Sequence, residues 1–150
     1  MSGNPQKRKG TGWESDARDA FGEFFGQRYG LDPYRPAQQG ATDVGDLGGI
    51  PPFAVQCKNY ANVADALREG LAGAERQKVH ARQPYGVALV KRARQSVGQG
   101  YAVMSVETFA RLVLRLARAE ALMGERLPPR LMAAYRHEVE TDLARPFPKP

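Results

Sequence analysis

Three residue types that can together handle a hard cation and a charged oxygen lie within thirteen positions of one another. Asp46 is followed, after the break Gly48-Gly49-Ile50-Pro51-Pro52, by Gln56-Cys57-Lys58. The run Phe53-Ala54-Val55-Gln56-Cys57-Lys58 alternates as a strand does, so Gln56 and Lys58 share a face and Phe53 and Val55 share the other. The Gly and Pro residues before it are turn chemistry, and a chain that doubles back there carries Asp46 beside Gln56 and Lys58. A carboxylate, an amide oxygen and an ammonium then meet at one point. Such oxygens suit Mg²⁺, with Mn²⁺ able to substitute, and the Cys57 carbonyl can complete the inner sphere. Lys58 can position a water or offset charge developing on a phosphate. The Cys57 thiol is the rival nucleophile, but the alternation turns it away from Gln56 and Lys58.

Asp46 with Gln56-Cys57-Lys58 resembles the PD-(D/E)XK nuclease signature. Gly45-Asp46-Leu47-Gly48-Gly49 followed by Val55-Gln56-Cys57-Lys58-Asn59 resembles the Holliday-junction-resolvase-like branch found in phages and actinobacteria, and Val55 to Tyr60 is also similar to the Gln-bearing motif of Mrr-type restriction endonucleases. No Pro precedes Asp46, and Gln56 stands where Glu is commoner. The resemblance covers roughly Lys9 to Leu116. It implies a metal-dependent DNA endonuclease, with four-way junctions as one substrate and a homodimer as the symmetric cutter. An Mrr-like restriction enzyme and a non-catalytic DNA-binding protein of the same fold are the alternatives. In the resolvase-like branch a Glu near the start of the first helix reaches the metal site in a Lys-Gly-Thr-x-x-Glu context, which Lys9-Gly10-Thr11-Gly12-Trp13-Glu14 matches. Related nucleases also carry a Val-x-Lys-Arg after a central strand, and here Val90-Lys91-Arg92 follows such a strand as a candidate phosphate clamp.

Around these residues the sequence supplies the elements that must position them. Thr11-x-x-Glu14 has the spacing of a capping box, which competes with a metal role for the Glu14 carboxylate. Trp13, Ala17, Phe21, Phe24 and Phe25 recur at helical spacing and predict a core face. Pro33 and Pro36 reduce any strand near Tyr34 and Arg35 to an edge or a loop. Asp43 reads as a turn carboxylate. Asn62 caps a helix whose apolar stripe is Val63, Leu67, Leu71 and Ala74, while Gly70, Ala72 and Gly73 permit close packing on a sheet. Tyr85 to Val90 is continuously apolar, as in a strand buried on both faces. Tyr101 to Met104 is a further short strand, and Ser105 opens a helix. The order predicts an α/β protein with a restriction-endonuclease-like core, a small mixed sheet flanked by helices, and an added C-terminal helix. The expected organisation is a flexible basic arm over 1–10, a nuclease core over 11–122, and a C-terminal extension over 123–150.

At 150 residues, 42% hydrophobic and 25% charged, the chain has the composition of a soluble single domain. A formal charge of +6 favours a polyanionic partner, and Lys7, Arg8 and Lys9 add phosphate contacts to Lys91 and Arg92. One cysteine excludes an internal disulfide and fits a reducing cytoplasm. No long apolar run predicts a membrane span, and the N-terminus lacks a signal-peptide core.

Overall fold

The computed structural model describes residues 5–37 and 43–149, with side chains from Gly10 onward. Helix α1 (Pro5–Phe25) leads through a short 3₁₀ turn (Arg28–Gly30) and a looped stretch to strand β1 (Phe53–Lys58). Helix α2 (Val63–His80), β2 (Tyr85–Val90), β3 (Tyr101–Val103), α3 (Val106–Arg126) and α4 (Pro129–Ala144) follow. By packing the chain forms two compact units, one running to Ser105 and taking in the C-terminal residues from Pro148, the other Val106–Phe147. The first unit holds a mixed sheet of order β1-β2-β3, with β1 and β2 parallel and β2 and β3 antiparallel. A parallel neighbour needs a crossover, and α2 supplies it. No helix among the described residues is long and apolar enough to cross a membrane.

β2 is central and buried at every position from Tyr85 to Val90, as its uninterrupted apolar run predicts. The parallel register pairs Gln56 with Ala88 and Lys58 with Val90, so these four side chains share one face with Ala54 and Gly86. α2 lies on that face. Its buried seam is Ala66, Gly70, Gly73, Ala74 and Gln77, which includes the Gly70 and Gly73 expected to pack closely. It takes only Ala74 from the expected stripe, in which Val63 is exposed and Leu67 and Leu71 are half-buried. The reason is steric. A Cβ at Gly70 would lie 2.9 Å from the Ala88 Cβ, so only small residues let the helix come this close. Asn62 caps α2 as expected, its Oδ1 accepting from Ala64 N at 2.9 Å and Asp65 N at 3.4 Å.

The capping-box reading of α1 needs correction. The backbone is helical from Pro5, within the stretch 1–10 read as a basic arm. Pro suits a first helical turn, and Gln6 to Lys9 are good helix formers. Thr11 and Glu14 therefore sit mid-helix, and Glu14 has no first-turn N–H to cap. The side chains of Lys7, Arg8 and Lys9 lie outside the described residues. Trp13, Ala17 and Ala20 are buried, but Phe21, Phe24 and Phe25 are half-buried and pack on one another, the Phe21 and Phe25 rings stacking at 5.4 Å. Trp13 donates its indole N–H to Leu89 O at 3.0 Å. A buried Trp resists truncation by about 3–5 kcal/mol, so it fixes the rotation of α1 and with it the direction of Glu14.

The expected hairpin forms only in part. Asp46 N and Leu47 N both donate to Val55 O, at 2.8 and 3.3 Å, and Leu47 bridges Val55 in antiparallel fashion. Gly48 bridges Tyr34 in turn, so the Pro-flanked segment is an irregular edge. The ladder cannot lengthen, because Gly45 and Gly49 take positive φ (111° and 73°) and Pro51 and Pro52 offer no donors.

The second unit is a pair of helices, α3 and α4, in which Tyr135 reaches Glu120 at 3.4 Å. Among its described residues only Thr108 is buried. Val106, Phe109, Val113 and Leu116 are exposed along α3, as are Leu131, Val139 and Leu143 on α4.

Candidate functional site

Lys58 and Val90 end their parallel strands side by side, and Lys91 N donates to Lys58 O at 2.9 Å. Beyond the strand ends lies a cleft of about 560 Å³ lined by Gly10, Glu14, Asp46, Gln56, the residues from Cys57 to Asn62, Asp65 and Glu69. Crevices outside the carboxyl ends of parallel strands are the usual ligand positions in open α/β sheets. Glu14, Asp46, Gln56 and Lys58, distant in sequence, thus share one cavity.

Asp46 is its centre. The carboxylate Oδ2 accepts from the Cys57 main-chain N–H at 2.6 Å and from the Gln56 side-chain amide. Since Lys58 O turns towards β2, the N–H and carbonyl of Cys57, one residue earlier, turn away from it, towards Asp46. The main chain of Cys57 therefore belongs to the cleft while its thiol is buried. Burial pushes that thiol far above the ordinary cysteine value, and the Asp46 and Glu14 charges add to the effect, which disposes of the nucleophile reading. The Asp46 pKa is also raised. Burial is the main cause; the Cys57 N–H opposes it, the Glu14 charge adds to it, and Lys58 and Gln56 oppose it. The donors around the carboxylate do not fully offset the water it loses on burial.

Gln56 does not sit as expected. Its Nε2 faces Asp46, and its Oε1 accepts from Gln77 Nε2 at 2.7 Å, turned under α2. Gln77 also donates to Asp43 Oδ2 at 2.7 Å. Asp43 is a turn carboxylate, as its sequence context suggests: its Oδ1 accepts from Gly45 N at 3.0 Å. Gln77 is 2% exposed, and its own Oε1 is buried with no hydrogen-bond partner. An orphaned acceptor of this kind costs about 1–3 kcal/mol. Gly73 leaves the space for the Gln56 amide, since a Cβ there would stand 2.6 Å from Oε1. Gly73→Ala is expected to lower unfolding stability by about 1–3 kcal/mol, against a helix-propensity gain of about 1 kcal/mol in the same substitution. Urea denaturation measures it, and a stabilised variant would mean that the amide does not occupy that space.

Glu14 is held by Arg35, whose Nη2 lies 2.6 Å from Oε2, with Nη1 3.4 Å from Ser15 Oγ. Sequence reasoning left Arg35 in a loop; nothing local marks its partner twenty-one residues earlier. Lys58 lays its stem under Gly70, where a Cβ would meet Cγ at 3.3 Å, and its ammonium stands 5.6 Å from the centre of the Tyr60 ring. Tyr60 is itself tied to Glu69 at 2.9 Å. Lys91 and Arg92 follow β2 next to Lys58. Lys91 lies 5.5 Å from the Trp13 ring and 3.9 Å from Asp16, and Arg92 lies 5.2 Å from the Tyr101 ring. Neither lines the cleft.

Among the described residues, no three His, Cys, Asp or Glu side chains gather to hold a metal. Oxygen donors on the lining of the cleft include the Asp46 and Glu14 carboxylates and the Cys57 main chain, with Asn59, Asp65 and Glu69 on the same lining. That set fits Mg²⁺, which keeps several waters and takes one or two carboxylates, and it does not fit Zn²⁺. Two carboxylates, Asp46 and Glu14, on the lining of one cleft are the observation that favours a cation here. No protein-family model matches the chain, and no curated protein or solved structure matches it either.

Proposed function

We propose that this protein is a Mg²⁺-dependent DNA endonuclease of the PD-(D/E)XK kind, with a restriction-endonuclease-like core and a structure-specific, Holliday-junction-resolvase-like substrate preference. The observation that carries the reading is the single cleft in which Asp46, Gln56, Lys58 and Glu14 meet, at the end of two parallel strands. Asp46, Glu14 and the Cys57 carbonyl would hold the ion, which acidifies water and neutralises phosphate charge when bound. Asp46 keeps its binding geometry through the Cys57 and Gln56 donors. Lys58 positions the attacking water and stabilises charge on the phosphate as the bond to the leaving oxygen lengthens. Arg35 aims Glu14. Lys91 and Arg92 supply phosphate contacts outside the cleft, and Lys7, Arg8 and Lys9 are the further basic residues assigned to phosphate. The net charge of +6 supports a polyanionic partner of this kind. The working compartment is the cytoplasm.

Symmetric cutting of a junction requires two cleavage sites about a twofold axis. The exposed apolar rows of α3 and α4 supply a surface for a second copy, because two helices alone cannot enclose a core.

A second reading has one specific observation in its favour. With the Gln56 oxygen turned to Gln77, the Asp46 and Glu14 carboxylates lack the Gln56 amide oxygen expected beside them. This is the arrangement of a DNA-binding protein that keeps the fold without cutting. Incubation of supercoiled plasmid, linear duplex and a four-way junction with Mg²⁺, Mn²⁺ or EDTA separates the two. Metal-dependent nicking, fastest on the junction, with a dimer by light scattering, is the expected result. Binding without cleavage under any metal would overturn the nuclease reading, and a monomer that nicks would remove only the symmetric resolvase.

A further inference from the structure

The two glutamines join two carboxylates in a single chain: Asp43, Gln77, Gln56, Asp46. Its ends can only accept hydrogen bonds when ionised, and that fixes the direction of every amide between them. Gln77 must offer nitrogen to Asp43. The second hydrogen of the same nitrogen reaches Gln56, so Gln56 must answer with its oxygen. Its nitrogen is then left for Asp46. Reversing Gln77 would set oxygen against oxygen at both of its contacts, and reversing Gln56 would set oxygen against oxygen at Asp46 and nitrogen against nitrogen at Gln77. The orphaned Gln77 Oε1 belongs to the same logic: both donors of that side chain are committed to one end, and the other end has nothing to bind. Gly73 leaves room for the Gln56 oxygen under α2, and no other seam residue is polar.

We propose that Gln77 is a positioning residue that sets which end of the Gln56 amide faces the cleft. Together with Asp46 it keeps Gln56 a donor to Oδ2, and it withholds the Gln56 oxygen from a cation bound at Asp46. Its consequence for cation affinity rests on the reading of the cleft as a Mg²⁺ site; the orientation itself does not. The arrangement keeps an ionised Asp46 supported when no cation is present and weakens the site by one ligand when it is.

Gln77→Met tests this, because it removes both amide donors, including the one that the Gln56 oxygen accepts, and keeps a side chain of similar length. Trans-hydrogen-bond NMR coupling from Gln56 Nε2 to the Asp46 carboxylate carbon reports the direction of the amide. Without metal both proteins are expected to show the coupling, since ionised Asp46 only accepts. With saturating Mg²⁺ the parent is expected to keep it, and Gln77→Met to lose it as the Gln56 oxygen turns to the cation. Mn²⁺ titration then reads the consequence: the variant is expected to bind about tenfold tighter than the parent. Gln56→Glu, with oxygens at both ends, marks the tight limit. Coupling lost from the Mg²⁺-bound parent, or kept in Mg²⁺-bound Gln77→Met, overturns the proposal, and so does equal Mn²⁺ affinity in the two. If the parent and Gln56→Glu both fail to bind Mn²⁺, the cation reading of the cleft fails and takes the proposed effect with it. Should Gln77→Met not fold, Gln77→Leu carries the same expectations.

Discussion

Lys58→Met is expected to reduce cleavage of plasmid or junction substrates by about 10²–10³-fold, the usual loss when one transition-state donor is removed from a partly enclosed site. Met is the informative substitution because the Lys58 stem packs beneath Gly70, and a thioether of similar length preserves that contact. Lys58→Ala removes the stem as well and mixes a packing loss with a chemical one. In the Met variant the melting temperature and the affinity for DNA in Ca²⁺ should stay at parental levels, since the ammonium acts on charge that appears only as the phosphate reacts. The ammonium also stands over the Tyr60 ring, so near-ultraviolet circular dichroism gives an independent sign that the cleft wall is intact. A Lys58→Met protein that cuts at the parental rate would remove Lys58 from the mechanism. Tyr60 and Asn59 would then be the remaining polar candidates on that wall.

Asp46→Asn should abolish cation-dependent cleavage, by about 100-fold or more, and at neutral pH without metal it should leave the protein as stable as the parent or more so. The two effects have one cause. The folded state raises the Asp46 pKa above 3.8, chiefly by burial, so the ionised carboxylate is disfavoured there relative to the unfolded chain. A carboxyl group shifted upward stabilises the fold below its unfolded pKa, and that stability is lost as pH rises through the higher folded value. The metal-free parent should therefore lose stability, relative to Asp46→Asn, as pH climbs from about 4 towards 7. Mg²⁺ should restore the parent alone, since it binds the native state through the ionised group. Melting curves for both proteins across that range, with and without Mg²⁺, measure the difference directly. A parent that gains stability over the variant with rising pH in the absence of metal would show that Asp46 is a structural acceptor and not a charge held for a ligand.

Local signals in the sequence were enough for the elements that depend on a few neighbouring residues. The alternation of Phe53 to Lys58 and the apolar run of Tyr85 to Val90 determined both parallel strands. Asn62 determined the start of α2, and the Gly-Pro break determined that Asp46 returns to β1. These follow from backbone preferences and side-chain periodicity, which act over one or two turns of chain. The seam of α2 was legible in part. Gly70 and Gly73 mark close packing on a sheet, but Leu67 and Leu71 carry the stronger hydrophobic signal, and only the opposing Ala88 and Gln56 show that the glycines and Gln77 form the buried seam. Gln77 carries no signal in the sequence, because an amide gives none until its partners, twenty-one and thirty-four positions away, are known. Arg35 and Glu14 present the same problem across twenty-one positions. The types and spacing of Asp46, Gln56 and Lys58 were thus set in the sequence, whereas the direction of the Gln56 amide was decided by tertiary structure. A hydrogen-bond chain takes its polarity from the groups at its two ends, and packing alone brings Asp43 and Asp46 to the ends of this one.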